Sequence, residues 1–102
     1  MKQSEQVNNQ GERNLMEKVF NLEILTTRKR LFSGSVSSLV APGALGYLGV
    51  LANHAPLVTT LVSGKVVCRG PSGSSTTLQS AGAGLLEVNH NKVTLLLDAL
   101  SQ

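Results

Sequence analysis

Two histidines, one cysteine and a glycine run are the residues of this chain whose types could support chemistry. His54 stands just before Ala55-Pro56, and His90 sits between Asn89 and Asn91. A catalytic imidazole needs a nucleophile to serve and a carboxylate to orient it. Cys68 is the lone cysteine, set between Val67 and Arg69, and no carboxylate lies near His54 in sequence. A metal site would need further ligands at a useful spacing, and His54 has none. His54 therefore reads as a residue that hydrogen-bonds its own loop or a partner. His90 reads as a solvated turn residue and Cys68 as a small core residue. An enzyme using His54 and Cys68 would have to bring the two within hydrogen-bond reach.

Acid–base catalysis by paired carboxylates finds equally little support. Beyond residue 18 the acids are Glu23, Glu87 and Asp98, in three separate segments. Gly43-x-x-Gly46-x-x-Gly49 superficially suggests a phosphate cradle. It matches neither G-x-G-x-x-G nor the P-loop, no lysine follows it, and no helix start follows to bind an anion. A compact structural turn is the better reading, because glycine permits positive φ and close backbone approach.

The elements that must hold these residues are strands. Phe20, Leu22 and Ile24 alternate with Asn21 and Glu23, which is the period-2 pattern of a half-buried strand. Thr26 to Arg30 turns the chain, and Leu31-Phe32-Ser33 returns until Gly34. From Ser35 to Ala41 the alternation puts Val36 and Val40 on one face and Leu39 on the other. Leu57 to Val62 and Lys65 to Arg69 are strand-like, and Gly70-Pro71-Ser72-Gly73 marks a hairpin turn. Thr76 to Gln79 follows. Ala81-Gly82-Ala83-Gly84 implies close packing or a bulge, before Leu85 to Val88. Asn89-His90-Asn91 is a turn, and Val93, Leu95 and Leu97 form a last strand in preference to a helix. The fold class is all-β: a single-domain sandwich of about ten strands.

Composition narrows the function classes. The 41% hydrophobic and 15% charged residues of this 102-residue chain suffice for one core. With 3% aromatics, that core is aliphatic. The net charge of +3 lies wholly beyond residue 19, where six cations face three acids. Only Arg28-Lys29-Arg30 clusters, without an aromatic platform, so nucleic acid is not the expected partner. One cysteine excludes an internal disulfide. No apolar run approaches the roughly 18 residues needed to span a membrane. Residues 1–18 are polar and lack period, and are expected to be a disordered N-terminal extension; 19–102 are the folded domain. The apolar residues Leu45, Tyr47, Leu48, Val50 and Leu51 in the glycine stretch point to a protein–protein surface.

The residues that carry a family likeness are now in view. Leu31-Phe32-Ser33-Gly34-Ser35-Val36 is followed by Val40-Ala41-Pro42-Gly43-x-x-Gly46-x-x-Gly49-Val50-Leu51-x-x-His54-Ala55-Pro56-Leu57 and Leu61-x-x-Gly64. With Leu85-Leu86-Glu87-Val88 and Asn91-Lys92-Val93-Thr94-Leu95-Leu96, this order resembles the epsilon subunit of F-type ATP synthases from about Phe20 to Asp98. The resemblance implies a ten-stranded sandwich that sits with the gamma subunit at the foot of the rotor. It also implies contact with the polar loops of the c-ring, coupling of ion flow to ATP synthesis, and no chemistry of its own. Residue by residue, Pro42, Gly43, Leu45, Gly46, Tyr47 and Gly49 match the c-ring side. His54, Ala55, Pro56 and Leu57 match the gamma side.

The departures from the family pattern are as informative. Acidic residues commonly flank the middle glycine; here Leu45 and Tyr47 stand there, so the ring contact is expected to be more apolar. Ala52-Asn53 replaces the usual Pro-Gly, and asparagine can still take the left-handed turn. The chain stops before the C-terminal helical hairpin of many members. No hairpin-mediated inhibition, ATP site, cofactor or small-molecule substrate is expected. A peripheral place on the cytoplasmic face of a bacterial inner membrane, or an equivalent organelle membrane, would follow. A free-standing sandwich interaction module, binding some other partner through the same edge, is the alternative; co-purification with gamma separates the two.

Overall fold

A computed structural model describes residues 18–101, and all of its regular structure is strand. The expected N-terminal extension lies outside the described residues except for Lys18. Eight strands follow in order: β1 Phe20–Leu25, β2 Arg30–Val36, β3 Ser38–Gly43, β4 Gly46–Leu51, β5 Leu57–Leu61, β6 Gly64–Arg69, β7 Ser75–Asn89 and β8 Lys92–Leu100.

The alternation in β1 works as the sequence predicts. Phe20, Leu22 and Ile24 are buried while Asn21 is exposed. Leu95 and Leu97 of β8 join the same core, where a helix would have scattered them round an axis. The core is one cluster that also takes Leu39, Ala41, Val50, Leu61, Val66, Cys68, Leu86 and Val88. Burying each such aliphatic side chain contributes about 1.5–3 kcal/mol.

Pairing shows two layers, joined where β7 crosses from one to the other and where Gly43 of β3 meets Leu61 of β5. Residues Gly84–Val88 of β7 pair with β5, and the same half pairs with β8; β8 pairs in parallel with β1, and β1 with β2. Residues Ser75–Ser80 of β7 pair with β6, which pairs with β3, which pairs with β4. We call these the first and second sheets. The crossing is made at a bulge between Ala81 and Gly84. Gly82 has φ +78 there, and a Cβ on it would lie 2.6 Å from Asp98 Oδ2. Both facts favour glycine, as the small-residue run implies.

Two expectations need correction. The described residues form eight strands, not about ten, and the stretches expected as separate strands before and after Ala81-Gly82-Ala83-Gly84 are one bulged strand of 15 residues. The facing of Val40 is also reversed. A break at Ser37 separates β2 from β3, which shifts the alternation by one residue. Val36, Leu39 and Ala41 are therefore inside, and Val40 is outside.

Candidate docking edge

The glycine stretch folds into the β3–β4 hairpin, in register from Ser38↔Leu51 to Gly43↔Gly46. Two residues, Ala44 and Leu45, make the turn, and Gly46 takes φ +128 to close it. Ala44 and Leu45 keep negative φ, so the positive φ falls on the residue after the turn, where glycine adopts it without steric cost. The turn is held from below. Ala44 N–H donates to the Thr60 carbonyl at 3.1 Å, and Val62 N–H donates to the Pro42 carbonyl at 2.8 Å. Pro42 and Gly43 are buried, and so offer no side-chain surface.

What the tip presents is Leu45 and Tyr47. Leu45 is fully exposed, at 105% of its reference area, and Tyr47 is 60% exposed. The Tyr47 side chain is nevertheless anchored, because its hydroxyl oxygen accepts the Lys65 backbone N–H at 3.1 Å. That seat needs Gly64: a Cβ there would lie 2.7 Å from the phenol oxygen and 2.8 Å from Pro42 Cβ. Leu57 and Thr59 of β5 line a shallow groove with the tip residues from Gly43 to Leu48. The structure thus joins Leu57 to the tip cluster.

His54 lies beyond the other end of β4. Its backbone N–H donates to the Leu51 carbonyl at 3.2 Å, making a turn. Asn53 takes the left-handed conformation at φ +65, as the departure from Pro-Gly requires. His54 Nδ1 is 2.7 Å from the Ala55 carbonyl oxygen. A carbonyl only accepts, so Nδ1 carries the proton, and a neutral ring has its lone pair on Nε2. Asn53 N–H donates to Asn91 Oδ1 at 2.7 Å, and Asn91 Nδ2 donates to the Val19 carbonyl at 2.8 Å. Asn91 is a support of the His54 loop that sequence reasoning missed, since it lies 38 residues from its partner. Ala55 and Pro56 are exposed in the loop that follows.

The structure does not bring His54 and Cys68 together. Cys68 is buried on β6 opposite Leu39 of β3, with β4 beyond that and His54 after its end. Burial raises the Cys68 thiol pKa above its ordinary value. A buried thiol of raised pKa is a poor nucleophile. No group of three or more metal-ligating side chains gathers among the described residues. His90 is exposed in the β7–β8 turn at φ +51. Among the described residues this edge presents an exposed apolar tip and an ordered loop.

Comparison with known proteins adds to this geometry. Residues 19–102 match the family described as ATP synthase, Delta/Epsilon chain, beta-sandwich domain. The ATP synthase epsilon chain of Chlorobaculum tepidum is 45% identical over 85 residues, 83% of this chain and 96% of that protein. That of Pelotomaculum thermopropionicum is also 45% identical over 85 residues, but the match covers 62% of it. Among solved structures, a chain in the Euglena gracilis mitochondrial ATP synthase (OSCP/F1/c-ring) has the same fold. Its TM-score is 0.75 at 19% identity, covering 81% of this chain and 52% of that one. The chain belongs to the epsilon-chain family of F-type ATP synthases, and residues 19–102 match the family's β-sandwich domain.

Proposed function

We propose that this chain is a non-catalytic central-stalk subunit that links the gamma subunit to the c-ring and turns with them, coupling ion flow to ATP synthesis. The observation that carries this is the hairpin tip, pinned to β5 and the β5–β6 turn while Leu45 and Tyr47 remain exposed. A preorganised tip binds without a large ordering cost. The Gly43–Gly49 hairpin faces the c-ring loops in this reading, with Leu57 in the groove beside it, and His54, Ala55 and Pro56 face gamma. The subunit would then sit peripherally on the cytoplasmic side of a bacterial inner membrane. No described helix is long and apolar enough to cross a membrane.

The ring contact in this chain is apolar, since Leu45 and Tyr47 stand where the family commonly has acids. Reconstitution with gamma and the c-ring of the same synthase tests the reading. Co-purification with gamma supports it, and its failure returns the chain to a free-standing interaction module. Tyr47→Asp should weaken assembly with the ring while gamma binding persists. Unchanged ring assembly would sink the apolar-contact idea.

A further inference from the structure

The loop from Ala52 to Pro56 crosses between the sheets, from β4 of the second to β5 of the first. Its ends are anchored by packing, since Ala52 and Leu57 are half-buried against the core. Between those anchors Asn53, Ala55 and Pro56 are exposed. Strand pairing does not reach them, because β3 and β4 pair as far as Ser38↔Leu51 and β5 and β7 begin at Leu57↔Val88. Among the described residues, three hydrogen bonds order the stretch between. His54 N–H closes a turn on the Leu51 carbonyl, and the His54 ring donates to the Ala55 carbonyl. Both are local, so they shape the loop without fixing it to the rest of the molecule. The third, from Asn53 N–H to Asn91 Oδ1 at 2.7 Å, does fix it.

Asn91 is itself firmly placed. It stands in the turn closed by the Asn89↔Lys92 pair, and the next pair inward, Val88↔Val93, is buried in the core. Its amide nitrogen donates to the Val19 carbonyl at 2.8 Å. A carboxamide has one donating and one accepting end, so the Val19 bond turns Oδ1 toward the Asn53 N–H. We propose that Asn91 is a positioning residue for gamma binding: its carboxamide holds the His54–Pro56 loop in the shape that gamma meets, without touching gamma. This rests on the central-stalk reading above, in which that loop faces gamma, and adds which residue keeps the loop ready. A loop that holds its binding shape only part of the time binds with an affinity reduced by that fraction. The loss falls on the association rate, because the bound loop is held by gamma whether or not Asn91 is present. Losing a direct contact instead speeds dissociation.

The test measures association and dissociation rates of the full chain on immobilised gamma from the same synthase, for wild type and three variants. Asn91→Gly accepts φ +61 and removes both side-chain bonds. Asn91→Asp keeps an acceptor for the Asn53 N–H and loses the donor to Val19, so it separates the loop bond from the strand bond. Gly82→Ala, strained by φ +78 at the bulge of β7, lowers stability for an unrelated reason. Circular dichroism and urea unfolding establish that each variant is folded. Asn91→Gly is expected to associate roughly five-fold or more slowly while its dissociation rate stays within about two-fold of wild type. Asn91→Asp should recover most of the association rate despite its lost Val19 bond, and Gly82→Ala should bind as wild type does. A wild-type association rate for Asn91→Gly, a rise in its dissociation rate alone, or an equal loss in Asn91→Asp each overturns the proposal and leaves the central-stalk reading intact. Slowed association of Gly82→Ala to the same degree overturns it too, since stability alone would then set the rate. If wild-type chain fails to bind gamma at all, the central-stalk reading itself has failed.

Discussion

Asn91 holds Asn53 across 38 positions of sequence, its side-chain carbonyl accepting the Asn53 N–H at 2.7 Å. Through its amide, the same side chain grips the Val19 carbonyl at 2.8 Å. The β7–β8 turn, the His54 loop and the start of β1 are therefore tied at one point. Both asparagines have positive φ, so each spends backbone strain to reach the other.

Asn91→Gly tests this tie without adding strain, since glycine accepts φ +61. Losing two hydrogen bonds should cost about 1–3 kcal/mol in urea unfolding. Hydrogen exchange at the Asn53 amide should accelerate well beyond that of core amides. Unchanged exchange there would show that the tie does not order the loop.

Gly64→Ala should destabilise the domain by about 1–3 kcal/mol, because its Cβ enters the seat of the Tyr47 hydroxyl and the Pro42 ring. Tyr47→Ala removes one of the two obstacles. The double variant should thus lose less than the sum of the single losses, as thermal unfolding of all four proteins would show. Strict additivity would mean that Tyr47 does not occupy this position in solution.

Gly82→Ala should be more harmful than a typical surface substitution, by about 1–3 kcal/mol. It combines φ +78 with a Cβ 2.6 Å from Asp98 Oδ2. Adding Asp98→Ala should recover part of the loss, the steric part, and leave the backbone cost. Denaturant midpoints of the single and double variants separate the two components.

Cys68 gives a pH dependence with a fixed sign. Its folded thiol has a raised pKa because burial disfavours the thiolate. The contribution is fully present below the ordinary thiol pKa of the unfolded chain. It is lost as pH rises through the raised folded value, because the unfolded state then gives up its proton first. Cys68→Ala should lower stability at neutral pH and flatten the alkaline decline relative to wild type. Equal alkaline slopes for the two proteins would contradict the burial of the thiol.

Local patterning carried most of the fold. The Phe20–Ile24 and Val93–Leu97 alternations placed their strands and inner faces correctly, since period-2 burial is a property of neighbours in sequence. Val40 was misplaced because a break at Ser37 leaves no apolar or glycine signature. The bulged β7 reads as two strands because Gly82 resembles a terminator until the pairs on both sides of it are seen, Ala81 with Ala99 and Gly84 with Leu97 of β8. In the candidate docking edge, the turn at Gly43–Gly46 and the left-handed Asn53 were legible from residue type. The Tyr47–Lys65 and Asn53–Asn91 bonds were not, because each joins segments that only the topology brings together.

The parallel pairing of β1 with β8 has a consequence for how the domain is made. Asn21 meets Lys92 and Leu25 meets Leu96, so the first strand waits for the last strand of the domain to be made. Until then β1 has only the β2 hairpin, and a two-stranded hairpin alone is marginal in water. Such long-range closure makes folding slow, on the order of milliseconds to seconds. The first sheet is therefore completed after translation of the domain, and its open edge is the interval's main exposure to misassociation.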